Sequence, residues 1–344
     1  MSEKPLDKEG LRTEYDELRP KHQKLESSLK RDLEASLRDA GISVLKVESR
    51  VKDFDSLRDK VQRKHYDNPL QEIHDICGLR VICYYPSDVG RVSELIQSEF
   101  DVVELVDKAD SLEPEEFGYR SLHITVTPNK HMLNTVSYRG LNDLKAEIQV
   151  RTILQHAWAD LSHELDYKKE EYAPKQFHKT LYQLSAMLDN LDDQFDELRR
   201  EKGQYTREVS EEAKRSGVFN ADQELNIDTL QALLDFHLPD REQSRAGTGR
   251  LLDDLVESQM TMRDFVDRYE RVKTVLASME QELREATEDE LEPMRFTGWA
   301  QAGVARAVLV LTDDEYWRTF KEDLSDDAQS KVVERWRSRL SMPH

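Results

Sequence analysis

Asp75-Ile-Cys-Gly-Leu-Arg-Val-Ile-Cys-Tyr-Tyr85 is a near-continuous apolar run rich in isoleucine and valine. Its composition and length predict a central strand buried on both faces. Upstream, Ile42 to Val51 alternates as a strand does, and Asp53 to Lys64 has the spacing of a helix. Downstream, Pro86 stands at a favourable helix start, and the pattern stays helical to Phe100. Val102 to Val106, Tyr119 to Thr127 and Ala146 to Val150 read as three further strands, with an acidic loop at Asp107 to Phe117. From Thr152 to Glu170 the period is helical again. Strands and helices in this order predict an α/β domain, a mixed β-sheet flanked by helices.

At the N-terminus, Leu11, Tyr15, Leu18, Leu25, Leu29, Leu33 and Leu37 recur at helical spacing, in a segment expected to break at Pro20. A helix at about 175–201 carries Leu181, Leu184, Leu188, Leu191 and Phe195 as one stripe and closes the first half. The expected domains are 1–203, built on the sheet, and 204–344, acidic and mostly helical. The latter has 30 acidic against 19 basic side chains. Within it 227–238, 248–288 and 313–340 read as helices, Val308–Leu311 as a short strand or buried turn, and Arg245 to Gly249 as a joint. The drift of apolar positions through 248–288 favours packing in a bundle over a coiled-coil arm.

The chain has 344 residues, 35% of them charged, and a formal net charge of −20. Such a balance argues against a protein that coats nucleic acid or an anionic membrane, because like charges repel. No run approaches the length of a membrane span, and the first residues lack the apolar core of a secretory signal. The two cysteines, Cys77 and Cys83, share one strand face and suit buried, reduced thiols. A soluble cytoplasmic protein that does not enter membranes is the expectation.

Several residues carry chemistry. Asp75 opens the central strand and Glu147 lies within Ala146-Glu-Ile-Gln-Val-Arg151. A carboxylate on a buried strand is costly unless it is paired or holds a cation, and two on one sheet suit magnesium. Salt bridges to neighbouring arginines would satisfy them equally. Arg50 and Lys52 share a strand face, and Ser56 and Lys60 share a helix face. With Arg80 they make a basic cluster suited to polyphosphate. Strict alternation would put Asp75 and Arg80 on opposite faces unless Asp75 precedes the strand. Phe117-Gly-Tyr-Arg-Ser-Leu-His123 presents Tyr119, Ser121 and His123 on one face, as a stacking surface for a base or as ordinary cross-strand packing.

Arg50-Val-Lys52 with Ser56 and Lys60, Asp75-Ile-Cys-Gly-Leu-Arg80, Gly118-Tyr-Arg-Ser-Leu-His123 and Glu147-Ile-Gln-Val-Arg151 occur in this order. Gln155-His-Ala-Trp158 and Ser162-His-Glu-Leu-Asp-Tyr-Lys168 follow. In this the chain resembles the synthetase domain of the RelA/SpoT alarmone synthetases. The resemblance implies a fold related to polymerase-β-type nucleotidyltransferases. It also implies transfer of the β,γ-pyrophosphate of ATP to the 3′-hydroxyl of GDP or GTP, yielding (p)ppGpp. On that basis Arg50 and Arg80 would sandwich adenine, and Lys52, Ser56 and Lys60 would hold the ATP phosphates. Asp75 would hold Mg²⁺, and Glu147 would share the metal or accept the proton of the attacking hydroxyl. Tyr119 would stack on the acceptor base, with His123, Gln149 and Arg151 lining that side.

His74-Asp75 is also an HD pair, the mark of the family's hydrolase. Here it leads into a strand, with too few residues upstream for that domain, so no hydrolase activity is expected. His156 and His163 share a helix face and are expected to pack it onto the sheet. The stretch Asp107-Lys-Ala-Asp-Ser-Leu-Glu-Pro-Glu-Glu116 is acidic where such synthetases usually carry lysine or arginine for the acceptor's 5′-phosphates. Either Lys130 or Arg139 supplies that charge, or the acceptor differs. Toxic family members modify the 3′-end of tRNA, and Lys331, Arg335, Arg337 and Arg339 would be a basic patch to dock one. An inactive nucleotide-sensing module is a third reading, opposed by the presence of both carboxylates. The helical segments offer surfaces for a homo-oligomer, and the C-terminal region for a regulatory partner.

Overall fold

The computed structural model describes residues 8–64, 66–107, 121–165, 175–287, 299–323 and 327–340. They fall into two compact units, Met1–Arg199 and Arg200–His344.

The first unit opens with helix α1 (Lys8–Asp39), strand β1 (Val44–Val51), helix α2 (Phe54–Arg63) and the single turn α3 (Pro69–Glu72). A 3-10 turn, His74–Ile76, leads into β2 (Cys77–Cys83). Then follow α4 (Pro86–Glu99), β3 (Asp101–Asp107), β4 (Leu122–Thr127), α5 (Lys130–Leu133), β5 (Ala146–Thr152) and α6 (Ile153–Glu164). Helix α7 (Lys175–Ser216) supplies residues to both units. The sheet order is β1-β2-β5-β4-β3; β2 and β5 run parallel and every other pair is antiparallel.

One sheet face is the core. Cys77, Leu79, Val81 and Cys83 of β2, Ala146, Ile148 and Val150 of β5, and Ile124 and Val126 of β4 meet Leu25, Leu29, Leu33 and Leu37 of α1 and Val92 and Ile96 of α4. The alternate residues carry polar groups, including Arg80, Glu147, Gln149 and His123, and are only partly covered. The expectation that β2 is buried on both faces is therefore corrected. Cys77, Leu79, Val81 and Cys83 serve the core face, while Gly78 and Arg80 open the other, on which Ile82 near the strand's end is buried.

Helix α1 also departs from expectation, because it runs through Pro20 without a break. Proline in a helix interior costs about 3 kcal/mol. Burial of Leu25, Leu29, Leu33 and Leu37, each at most 2% exposed, offsets that cost at about 1.5–3 kcal/mol per side chain. Tertiary packing outweighs local propensity here. The N-terminal half is held as well, with Leu11 and Tyr15 in a small core with Leu57, Val61, Ile73 and Ile76. Helix α7 likewise continues past the expected end near 201, through Gly203, and stops at Gly217, which takes φ +70°.

The second unit comprises α8 (Ile227–His237), α9 (Arg245–Glu257), α10 (Met262–Thr287), α11 (Gln301–Thr312), α12 (Asp314–Asp323) and α13 (Asp327–Leu340). They share one apolar cluster with the end of α7. Three expectations are revised. The 248–288 segment is two helices, parted where Gln259 takes φ 51°. Arg245 to Gly249 is the first turn of α9, capped by Ser244, and no joint. Val308–Leu311 is helical, in a segment buried nearly all round, where periodicity cannot separate strand from helix. The proposed basic patch is also paired. Arg335 and Arg339 reach Glu282 at 2.5 and 3.9 Å, and Arg337 bonds Asp314.

Candidate active site

The 3-10 turn before β2 removes the alternation problem. Asp75 lies outside the strand, at φ −88° and ψ 20°, so its side chain need not oppose Arg80. Its two oxygens are each met by an ammonium. Lys52 Nζ is 2.8 Å from Oδ2 and Lys60 Nζ 2.9 Å from Oδ1. Lys52 is fixed through its backbone, which donates to Ile76 O at 2.9 Å and accepts from Tyr15 Oη at 2.5 Å. Lys60 is placed by α2, whose N-cap Asp53 accepts from the Ser56 amide and hydroxyl, both at 2.8 Å. Ser56 thus stands in the first turn with its hydroxyl committed to the cap.

Across the sheet, register aligns Arg50 of β1, Gly78 of β2, Glu147 of β5 and Thr125 of β4 in one row. The next row is Glu48, Arg80, Gln149 and His123. Arg50, Gly78, Arg80, Asp75, Glu147, Gln149 and Glu48 line a single cleft of about 400 Å³. Gly78 leaves the floor between Arg50 and Glu147 without a side chain. Arg80 Nη1 faces Glu48 Oε2 at 3.4 Å, while its buried Nε has no hydrogen-bond partner.

Glu147 sits in a chain of hydrogen bonds. His123 Nδ1 is 3.1 Å and Gln149 Nε2 2.8 Å from Glu147 Oε1, and Arg151 Nη2 donates to Gln149 Oε1 at 2.7 Å. A carboxylate only accepts, so Nδ1 of His123 carries hydrogen. Its Nε2 lies 2.7 Å from Ser121 Oγ. Burial pushes the Glu147 carboxyl up. The bonds from His123 and Gln149, with the charges of His123 and Lys60, outweigh it and bring the group down to about 2.

His74 lies between Lys145 Nζ, 3.2 Å from its Nε2, and Thr125 Oγ1, 3.4 Å from its Nδ1. Burial, then the charge of Lys145, lowers its pKa. In the sequence His74 stands out only as half of an HD pair, and Lys145 belongs to none of the motifs. The signal was present, since 145, 147, 149 and 151 continue one alternation.

The structure thus gathers Arg50, Lys52, Lys60, Asp75, Arg80, Glu147, Gln149, His123 and Arg151 on one side of the sheet. Tyr119 and most of the acidic 107–116 stretch lie outside the described residues. Lys130 and Arg139 do not line the cleft. His156 is largely buried on α6, 3.6 Å from Asp160, but His163 is exposed, so that pair does not jointly pack the helix onto the sheet.

Two carboxylates among converging cations, on the open face of a mixed sheet, are an arrangement suited to polyphosphate. A family model described as "Region found in RelA / SpoT proteins" matches residues 49–172. GTP pyrophosphokinase YwaC of Bacillus subtilis is 35% identical over 158 residues, 44% of this chain and 72% of that protein. GTP pyrophosphokinase YjbM of the same organism is 36% identical over 159 residues, 45% of this chain and 72% of that protein. A structure of the B. subtilis small alarmone synthetase 1 bound to its product pppGpp is 26% identical, with a TM-score of 0.48. It covers 56% of this chain and 99% of that one. The chain belongs to the RelA/SpoT family.

Proposed function

We propose that the first unit transfers the β,γ-pyrophosphate of ATP to the 3′-hydroxyl of GDP or GTP, making (p)ppGpp. The observation that carries this reading is Asp75 clasped by Lys52 and Lys60 in the cleft it shares with Glu147, Arg50 and Arg80. Family membership supports the same reading. Arg50 and Arg80, on neighbouring strands, flank the adenine; planar guanidinium groups stack well on a base. Lys52, Lys60 and the Ser56 end of α2 receive the phosphates, where a helix N-terminus adds favourable dipole.

The donor set fits magnesium. Mg²⁺ is commonly held by one or two carboxylates with substrate phosphates, and Asp75 and Glu147 provide two. Among the described residues no group of three or more His, Cys, Asp or Glu is placed to hold a metal by itself. When bound, such an ion would neutralise charge on the phosphates. At about 2, Glu147 is a weak proton acceptor, since a general base works best near the operating pH. Holding a cation and orienting His123 are the better roles for it. His123, Gln149 and Arg151 line the acceptor side, with Tyr119 to stack on its base. Phosphoryl transfer depends mainly on alignment and charge neutralisation, which these residues provide.

The second unit, with its own core, acts in this reading as a regulatory or interaction region. Incubation with ATP, Mg²⁺ and GDP or GTP tests the activity by chromatography. AMP should accumulate in step with a guanosine tetra- or pentaphosphate. ADP in place of AMP, or no guanosine product, would overturn the proposal.

A further inference from the structure

We propose that Lys145, one residue before the strand that carries Glu147 and outside the cleft's own lining, binds a phosphate of the nucleotides and is held in place by His74; the inference rests on the pyrophosphokinase reading above. Lys145 stands one residue before β5, two positions from Glu147. His74, which it touches at 3.2 Å, is the immediate neighbour of Asp75. Lys145 therefore adjoins the elements that carry both carboxylates.

Its electrostatic situation differs from that of the other two lysines. Lys52 and Lys60 each face an oxygen of Asp75. Lys145 has no carboxylate within 4.0 Å among the described residues, and its near partner is an imidazole. An ammonium only donates, so it donates to Nε2. The hydrogen of a neutral ring is then on Nδ1, toward Thr125 Oγ1 at 3.4 Å and Glu104 Oε2 at 3.7 Å. His74 is anchored from β4 and β3 and presents an acceptor that fixes the ammonium. A half-buried positive charge without a carboxylate is costly. An anionic phosphate oxygen supplies the missing partner through a charge-assisted bond.

The phosphate has two possible sources, the donor ATP or the 5′-phosphates of the acceptor. The acceptor's charge is otherwise poorly provided for, since 107–116 holds five acidic residues and one lysine. Calorimetric titration of the full chain with Mg²⁺ and α,β-methylene ATP, and separately with GDP, reads both sources without turnover. Lys145→Met should weaken at least one ligand about tenfold, the scale of one lost charge-assisted bond. Its thermal midpoint should be unchanged, and Lys145→Arg should recover most of the affinity. A loss confined to α,β-methylene ATP places the ammonium on the donor phosphates, and one confined to GDP on the acceptor. Unchanged affinity for both ligands overturns the inference. So does a loss that arginine does not restore, one that accompanies a lowered midpoint, or a wild-type chain that binds neither ligand. A wild-type chain that binds both but transfers nothing counts against the proposed reaction alone.

Discussion

Glu147 is the residue whose chemistry the structure changes most. The family resemblance implies that it shares the metal or accepts a proton, and does not choose between the two. Three-dimensional partners separate them. Hydrogen bonds from His123 and Gln149 keep it ionised, which suits a cation ligand. Glu147→Gln keeps the shape and removes the charge. Transfer should fall at least about a hundredfold, while calorimetry should show ATP binding in the absence of metal within about threefold of wild type. A variant with undiminished turnover would remove Glu147 from the site. Asp75 shows what residue-level reading lacks. Its conflict with Arg80 disappears only because three residues form a 3-10 turn, a local departure no alternation rule anticipates.

Among elements, the strands were the most legible. All five strands, β1 to β5, overlap their expected ranges because strand alternation and the apolar run at 77–83 point the same way. Helices that run against a local signal were not legible, as with Pro20 inside α1, Gly203 inside α7 and the nearly fully buried α11. α1 also carries a titration that its sequence does not announce. His22 is 4% exposed, and neither ring nitrogen has a hydrogen-bond partner. Burial lowers its pKa to about 4, against 6.5 for the free side chain. The unfolded chain therefore takes up a proton first, and stability present above pH 6.5 is lost as pH falls toward 4. The loss should approach about 3 kcal/mol. Amide exchange along α1 should accelerate over that interval in the wild type and much less in His22→Leu. An equal acid response in both would show that His22 is not its source.

For the whole molecule, two units with separate apolar clusters predict that catalysis resides in the first. A chain ending at Gly217, where α7 stops, should fold and retain pyrophosphate transfer. Its rate should differ from that of the full chain if the second unit regulates it. Identical rates and identical oligomeric state would leave the second unit without that role. Composition foresaw a helical, acidic second half, but its helix boundaries depend on burial and were only partly readable. The central claim is that an intact pyrophosphoryl group moves within the cleft around Asp75 and Glu147. The direct measurement uses ATP labelled separately at the β and γ phosphorus, with GDP and Mg²⁺, and follows label into products. The account predicts both labels in the guanosine product in equal amount, with unlabelled AMP. Label only from the γ position, or β label retained on adenosine, would contradict it.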